Sequence, residues 1–435
     1  MDTKKRIGLS LSGGGYRATI YHLGTLKKLQ DMKILDKIDI ISTISGGAIT
    51  GALYGLNNGD FNHFENQVRS AVKKNIITGI LISSRFLFAA IPILLILALI
   101  LLSELEKGYS FIAFFILILL ILKFQFRLFP ISKIINKLYS KYFFKDCKLP
   151  ALREFPIILI NTTNYDTGRP FTFSKNRMGD SGYDYKDDVR QEKMFNHQEF
   201  PVSLAVASST CVPFAFTPIY INKQYFANTQ NSKSIKPCLV DGGVYDNQGL
   251  HKLTQRNSAY SSDIIIVSDA AAGSSKKKEM NNTVKLLIGT GDAFMNRIKN
   301  FQMVRNVYEN KKYLKRPIAY QSLAWDFDNC FKSFMNNLKK GLILDEVIEC
   351  HGISQLVIDE NWKEIEQYMK ERINYEKMKA DKPTNDELVI ARSVSTNLWS
   401  LKDKQIDALM KQASVLTELQ IKLYCPSIVD GGYFR

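Results

Sequence analysis

The chain has 435 residues, 46% of them hydrophobic and 23% charged, which excludes a disordered or low-complexity protein and leaves room for one large α/β domain with additions or two modest domains. A formal net charge of +16 calls for an anionic partner, either nucleic acid or an acidic lipid surface. The cysteines (Cys147, Cys211, Cys238, Cys330, Cys350, Cys425) are scattered, with no CxxC pair and no histidine at zinc-ligand spacing, so neither a metal site nor a disulfide framework is indicated and a reducing, cytoplasmic setting fits.

Lys4, Lys5 and Arg6 precede only the short apolar run Ile7 to Leu11 before three glycines, too little for a signal sequence. That run reads as a buried strand. Ala18 to Leu29 then has helical spacing of Leu23, Leu26 and Leu29, Ile38 to Ile44 is a second β-branched run, and Ala48 to Leu56 is helical again. Strand, glycine turn, helix, twice over, predicts a parallel α/β sheet.

Phe86 to Leu102 is an uninterrupted apolar stretch of about 17 residues, and Tyr109 to Leu122 a second of about 14; the first has the length of a membrane span, and the second reaches it if Lys123 snorkels and the span runs on through Phe124 and Phe126. The linker Ser103 to Gly108 is acidic, while the outer flanks carry Lys73, Lys74 and Arg85 on one side and Lys123, Arg127 and Lys133 on the other. Positive-inside logic places both flanks in the cytoplasm; the competing reading is a greasy hairpin inside a soluble core. Lys133, Lys137, Lys141 and Lys145 then recur every fourth residue, with Ile134, Ile135, Leu138, Tyr142 and Phe143 between them. This predicts a basic amphipathic helix, lying on an anionic membrane surface or serving as an ordinary surface helix with a solvated lysine face.

Strand-like runs resume at Pro156 to Thr162 and Pro170 to Phe173, followed by a small-residue segment Leu204 to Thr210 and further runs at Cys238 to Val240 and Ile264 to Ser268. Val284 to Leu314 reads as a long basic helical region, Arg316 to Ala324 as a strand, and Glu346 to Gln420 as mostly helical.

Three turns carry chemistry. In Thr43-Ile44-Ser45-Gly46-Gly47 a serine sits between strand and helix, as at a nucleophile elbow. Thr43 stands where the usual GxSxG form has its first glycine, and a bare Ser-Gly-Gly turn also serves as a helix N-cap. In Gly13-Gly14-Gly15-Tyr16-Arg17, three residues without side chains leave N–H groups open to an anion, as an oxyanion loop requires. Gly13, Gly15 and Ala18 also fit the dinucleotide pattern GxGxxA, but that reading needs an acid at the end of the next strand, which ends instead at Ser45. In Val240-Asp241-Gly242-Gly243-Val244, an acid ends a short apolar strand. A serine nucleophile needs a base within reach, and none of His22, His63, His197, His251 and His351 lies in a recognisable base motif, so Asp241 is the natural candidate.

A GGGxR loop, a serine elbow and a DGG aspartate in this order resemble the three signatures of the patatin-like phospholipases. Ala207-Ser208-Ser209-Thr210-Cys211-Val212-Pro213-Phe214, and Asp246-Asn247-Gln248-Gly249-Leu250 after the aspartate, are similar to that family's flanking segments, and the resemblance covers roughly residues 6–75 and 150–270. It implies a patatin-like three-layer α/β/α hydrolase core, here with an inserted transmembrane helical hairpin. It implies a Ser45/Asp241 dyad acting without histidine, metal or cofactor, and an oxyanion hole drawn from Gly13, Gly14, Gly15 and Gly46. Arg17 would either orient the loop or meet a lipid phosphate. A second Asp-Gly-Gly, Asp430 to Gly432, lacks both flanking segments.

The expected organisation is therefore core residues 1–78, a membrane hairpin 79–130 (two spans or re-entrant), an interfacial helix 131–150, the second part of the core 151–330 and a helical C-terminal region 331–435. The expected function is a membrane-anchored phospholipase A or lysophospholipase with its catalytic domain in the cytoplasm. Its partners would be phospholipid substrate and an anionic lipid surface rather than nucleic acid, with self-association or a regulatory partner gating activity. Two alternatives remain open: a neutral-lipid or thioester hydrolase on the same dyad, and a non-catalytic protein that disrupts membranes through its hairpin.

Overall fold

A computed structural model describes residues 5–57, 59–103, 107–184, 195–227, 235–273 and 280–429. The sequence alternates strand and helix from the start: β1 (Ile7–Leu11), α1 (Gly15–Asp31), β2 (Ile40–Ile44), α2 (Gly46–Leu56). Every residue of β1 and β2 is buried, including Ser10, Ser42 and Thr43, whose hydroxyls donate to the carbonyls of Gln248, Gly249 and Leu159. After the helices α3 (Phe61–Val72), α4 (Ile76–Leu81), α5 (Ser84–Leu102), α6 (Lys107–Leu128) and α7 (Ile131–Tyr139), the sheet resumes with β3 (Ile157–Asn164), β4 (Arg169–Phe173), β5 (Met178–Gly179), β6 (Ile219–Tyr220), β7 (Cys238–Val240), β8 (Ile264–Asp269) and β9 (Ile318–Ser322).

The strand order is β5-β4-β3-β2-β1-β8-β9, with β7 joining β3 and β6 joining β7. β3, β2, β1, β8 and β9 run parallel; β4, β5, β6 and β7 join antiparallel. One face of the sheet, through Leu9, Leu11, Ile41, Ile158 and Ile266, packs under α1, α2 and α3. The other, through Ile40, Leu159, Ile265, Val267 and Tyr320, packs against Leu250, Leu253 and Met303. Residues of alternate parity thus feed two cores, giving three layers.

The helix Asp403–Tyr424 belongs to both the main core and a satellite core: Leu409 and Ala413 pack in the main core, while Leu416, Leu419 and Leu423 pack with Phe331, Phe334 and Ile365. The boundary expected at 330/331 falls inside the helix Phe327–Lys339, so the C-terminal region shares the hydrophobic interior of the first part of the chain. The small-residue segment expected at 204–210 is the helix Val202–Ser209.

The insertion stands apart. No residue of α5 is buried, and Leu94, Leu99 and Leu102 are 62%, 70% and 82% exposed, an apolar surface that water would not tolerate uncovered. Two helices here are long and apolar enough to cross a membrane. α6 continues through Lys123, Phe124 and Phe126 to Leu128, 22 residues or about 33 Å, against a hydrocarbon core of about 30 Å. α7 and the turn that follows it spend their apolar side on the protein: Ile134, Ile135, Tyr139 and Phe143 lie in the main core, and Lys133, Lys137, Lys141 and Lys145 face outward. What this segment can offer a lipid surface is a row of lysines, its hydrophobic stripe being already covered.

Candidate active site

Strand register brings the serine and the aspartate together. Ile44, the last residue of β2, pairs with Asn161 of β3, while Val240, the last residue of β7, pairs with Thr163 from the opposite direction. The two strands therefore approach end to end beside β3, and the residues that follow them, Ser45 and Asp241, meet at the level of Thr162. Thr162 and Thr163 fasten the second arm, their hydroxyls donating to the carbonyls of Val240 at 2.5 Å and Asp241 at 2.9 Å.

Ser45 has φ 49° and ψ −116°, a region costly for a residue with a side chain and held only where the surroundings impose it. Three contacts impose it here. The Ser45 N–H donates to Ser209 Oγ at 2.9 Å, and that hydroxyl donates to the Asn161 carbonyl at 2.6 Å. Gly47 N–H donates to the Ser12 carbonyl at 3.2 Å, and Thr19 Oγ1 donates to the Gly46 carbonyl at 3.0 Å. Thr43 does not crowd the turn because Gly51 of α2 makes room for it: a Cβ added to Gly51 would stand 2.5 Å from Thr43 Cγ2. The Thr43 hydroxyl is satisfied by the Leu159 carbonyl at 2.8 Å.

Asp241 is buried, and one carboxylate oxygen accepts the Gly243 N–H at 2.7 Å. The other, Oδ2, has no aligned hydrogen-bond partner among the described residues, although the Ser45 hydroxyl is near enough to favour the charged form. Burial pushes the pKa of Asp241 up to about 6, against the pull of Gly243 and Ser45. A buried carboxylate with one unsatisfied oxygen beside a hydroxyl is chemically a proton acceptor in waiting.

The glycine loop lies against the elbow. Gly14 and Gly15 have φ of 145° and 57°, and a Cβ on Gly46 would fall 2.1 Å from the Gly15 carbonyl oxygen and 2.8 Å from its nitrogen, so the two turns touch backbone to backbone. Among the described residues the N–H groups of Gly14, Gly15 and Gly46 donate to no protein carbonyl; Gly15 and Gly46 open α1 and α2, where such orphan donors belong. Gly13 differs from the expectation: its N–H is consumed by the Asn247 carbonyl at 2.9 Å, so it shapes the loop and has no donor left for a substrate. Arg17 turns its Nη1 to the Val394 carbonyl at 3.0 Å, tying the loop to the C-terminal region.

That tether, together with Tyr16 N–H donating to the Asn397 carbonyl at 2.9 Å, is invisible in the sequence, as neither Val394 nor Asn397 sits in a motif. Ser209 had a signal, the small-residue stretch before the aspartate. No histidine bonds Ser45 among the described residues. His22, buried, contacts Ser268 Oγ and the Ser12 carbonyl, both at 2.8 Å; burial drives its pKa down to about 4, and facing a carbonyl its Nε2 must be the donor. It braces the strand ends rather than the nucleophile. Asp430 to Gly432 lie outside the described residues.

The hairpin is rooted at this same edge. Tyr16 OH donates to the Lys74 carbonyl at 2.9 Å, Ser132 N–H donates to Thr217 Oγ1 at 3.2 Å, and Tyr139 OH reaches Thr210 Oγ1 at 3.3 Å, one residue before Cys211, whose carbonyl accepts the Asp241 N–H. The site itself is nearly covered: Ser45 and Asp241 are 7% and 6% exposed.

A strained serine between parallel strand and helix stands against a buried carboxylate and two glycine turns at the C-terminal edge of an α/β sheet. The profile of the patatin-like phospholipase family matches residues 9–253, and the chain belongs to that family, whose members are lipid acyl hydrolases. No curated protein sequence matches it significantly. Among solved structures, VipD from Legionella pneumophila is similar at 13% identity, covering 98% of this chain and 92% of that one with a TM-score of 0.34. Human GIVD cytosolic phospholipase A2 is similar at 12% identity, covering 100% of this chain and 64% of that one with a TM-score of 0.48. The same human enzyme in complex with methyl gamma-linolenyl fluorophosphonate gives 14%, 98%, 59% and 0.47. This chain thus spans less than two thirds of the human chain.

Proposed function

We propose that the protein is a membrane-anchored phospholipase A or lysophospholipase that cleaves fatty-acyl esters of bilayer lipids with a Ser45/Asp241 dyad. The observation that carries this reading is the end-to-end meeting of β2 and β7, which sets Ser45 beside the unsatisfied Asp241 Oδ2. Asp241 takes the Ser45 proton as Oγ attacks the acyl carbonyl carbon. The oxyanion that forms is held by the amides of Gly14, Gly15 and Gly46, each worth about 10²–10³ in rate. Collapse expels the alcohol, which leaves with the proton from Asp241, and water activated by the same carboxylate releases the fatty acid and restores Ser45.

α5 and α6 form the anchor, with the basic outer flanks and the core in the cytoplasm. The contacts of the hairpin root with Tyr16, Thr210 and Thr217 support an active-site edge that faces the bilayer. Each outward lysine of the segment 131–150 would then add on the order of 1 kcal/mol against an acidic leaflet. Anchoring raises the effective substrate concentration, and a nearly covered site suits an enzyme whose activity is gated by self-association or a partner.

The test is fatty-acid release from mixed phospholipid vesicles by the full chain beside Ser45→Ala and Asp241→Asn. Release by the wild type and loss in both variants is expected. Equal behaviour of all three would refute the hydrolase reading, and release confined to neutral glycerides would replace the phospholipase assignment.

A further inference from the structure

The helix Thr283–Met303 is fixed to the core near its C-terminal end. Lys299 Nζ meets Asp269 Oδ2 at 2.6 Å, and Met303 is buried in the second core. Asp269 ends β8 at the C-terminal edge of the parallel strands, the edge that carries Ser45. Beyond Met303 the chain must descend to enter β9 at Ile318, which pairs with Ile265 toward the far edge. The residues before Lys299 therefore rise away from the sheet on the active-site side, and the stretch back to Thr283 extends about 24 Å.

This arm is amphipathic. At 100° per residue Val284, Leu287, Ile288, Phe294, Met295 and Ile298 fall in one stripe, with Lys285, Asp292 and Arg297 elsewhere on the helix and Asp292 its one acid. Among the described residues the stripe is largely uncovered: Val284, Leu287 and Phe294 are 66%, 55% and 61% exposed. The hairpin joins the main core at Ile80, Phe86 and Ile131, and this helix joins the second core, on the opposite face of the sheet, at Met303.

We infer that the helix Thr283–Met303 is a second membrane-contact element, lying in the interface of an anionic bilayer with its stripe among the acyl chains. Resting on the reading of α5 and α6 as a membrane hairpin, this holds the Ser45 edge to lipid from both sides. The occupant is lipid rather than a second copy of the chain for two reasons. The helix stands on the edge that the hairpin already presses to a bilayer, and its charge balance is basic, as an interfacial helix on an acidic leaflet requires.

The test places single tryptophans in the full chain, Leu287→Trp in this helix, Leu99→Trp in the hairpin and Val389→Trp on an exposed helix of the C-terminal region. Each is reconstituted in phosphatidylcholine–phosphatidylserine vesicles with brominated acyl chains, and the unsubstituted protein supplies the background of its 3 native tryptophans. Position 287 is expected to blue-shift and to be quenched at least about twofold more than position 389. Quenching at 99 but not at 287 overturns this inference and spares the hairpin; quenching at neither removes both. A blue shift at 287 without quenching means that protein covers the stripe, and also overturns it. A functional arm uses Leu287→Glu with Ile288→Glu, expected to slow vesicle hydrolysis at least about tenfold while leaving a soluble short-chain ester untouched; equal loss on both substrates would make the helix structural and refute the lipid role.

Discussion

Replacing Asp241 by asparagine should abolish activity and stabilise the fold, by an amount that depends on pH. The folded carboxyl keeps its proton until about pH 6 because burial penalises the charge, whereas an unfolded aspartate releases it near 3.9. Between those values the folded state binds more protons, so stability falls as pH rises, and above pH 6 the buried charge costs the full difference, about 3 kcal/mol. Asp241→Asn removes that cost, because the amide carries no charge at any of these pH values, while leaving an acceptor for Gly243 N–H. From about pH 4 to about pH 7.5 the stability of the variant relative to wild type should rise by about 2 kcal/mol, since part of the unfolded-state titration already lies below pH 4. Denaturant unfolding of both proteins in the same detergent at both pH values measures it, and any fixed effect of the amide cancels in the comparison. A difference that does not change with pH would refute the account of Asp241 as a carboxylate held against its own burial. The same titration predicts that kcat/KM falls on the acid side of about pH 6, where the base is protonated; a flat profile from pH 5 to 8 would exclude Asp241 as the base.

Three further outcomes follow from the elbow and the sheet edge. Ser45→Gly and Ser45→Ala both lose the hydroxyl, but only glycine relieves the backbone at φ 49°, so the glycine variant should be about 1 kcal/mol more stable by thermal unfolding; equal stability would mean the elbow stores no strain. Gly51→Ala should cost about 2 kcal/mol through the contact with Thr43 Cγ2, and less than half of that in a Thr43→Ser background, a coupling that a double-mutant cycle reads directly and that additive effects would disprove. Lys299→Met should destabilise by about 3 kcal/mol because Asp269, fully buried, loses its cation, and Asp269→Asn in the same chain should recover part of the loss; no recovery would point to packing instead.

Much of the α/β core is legible in the sequence. Strands buried on both faces become short runs rich in apolar residues, as at Ile7 to Leu11 and Ile264 to Val267, and their helices keep a 3.6-residue spacing. The two-residue strands Met178–Gly179 and Ile219–Tyr220 are too short to show any period, and the helix Val202–Ser209 hides in small residues that suit close packing on β3 rather than an amphipathic stripe. Each of the three chemical turns is likewise visible locally, because glycines beside a serine or an acid at a strand end leave a compositional mark.

What the sequence cannot determine is where distant segments arrive. Asp241 reaches Ser45 because β7 enters antiparallel on β3 in line with β2, and register is a property of paired strands, not of either alone. Gly13 loses its donor to Asn247, and Arg17 its guanidinium nitrogen to Val394, through contacts between residues far apart in the chain, which no local pattern encodes. The amphipathic stripe of Thr283–Met303 is written in the sequence, as is the apolarity of α5 and α6. That Lys299 of this helix reaches Asp269 at the end of β8, and that Tyr139 at the hairpin root reaches Thr210 near Asp241, was decided by the tertiary structure, since parallel strands bring their C-terminal ends to one edge of the sheet.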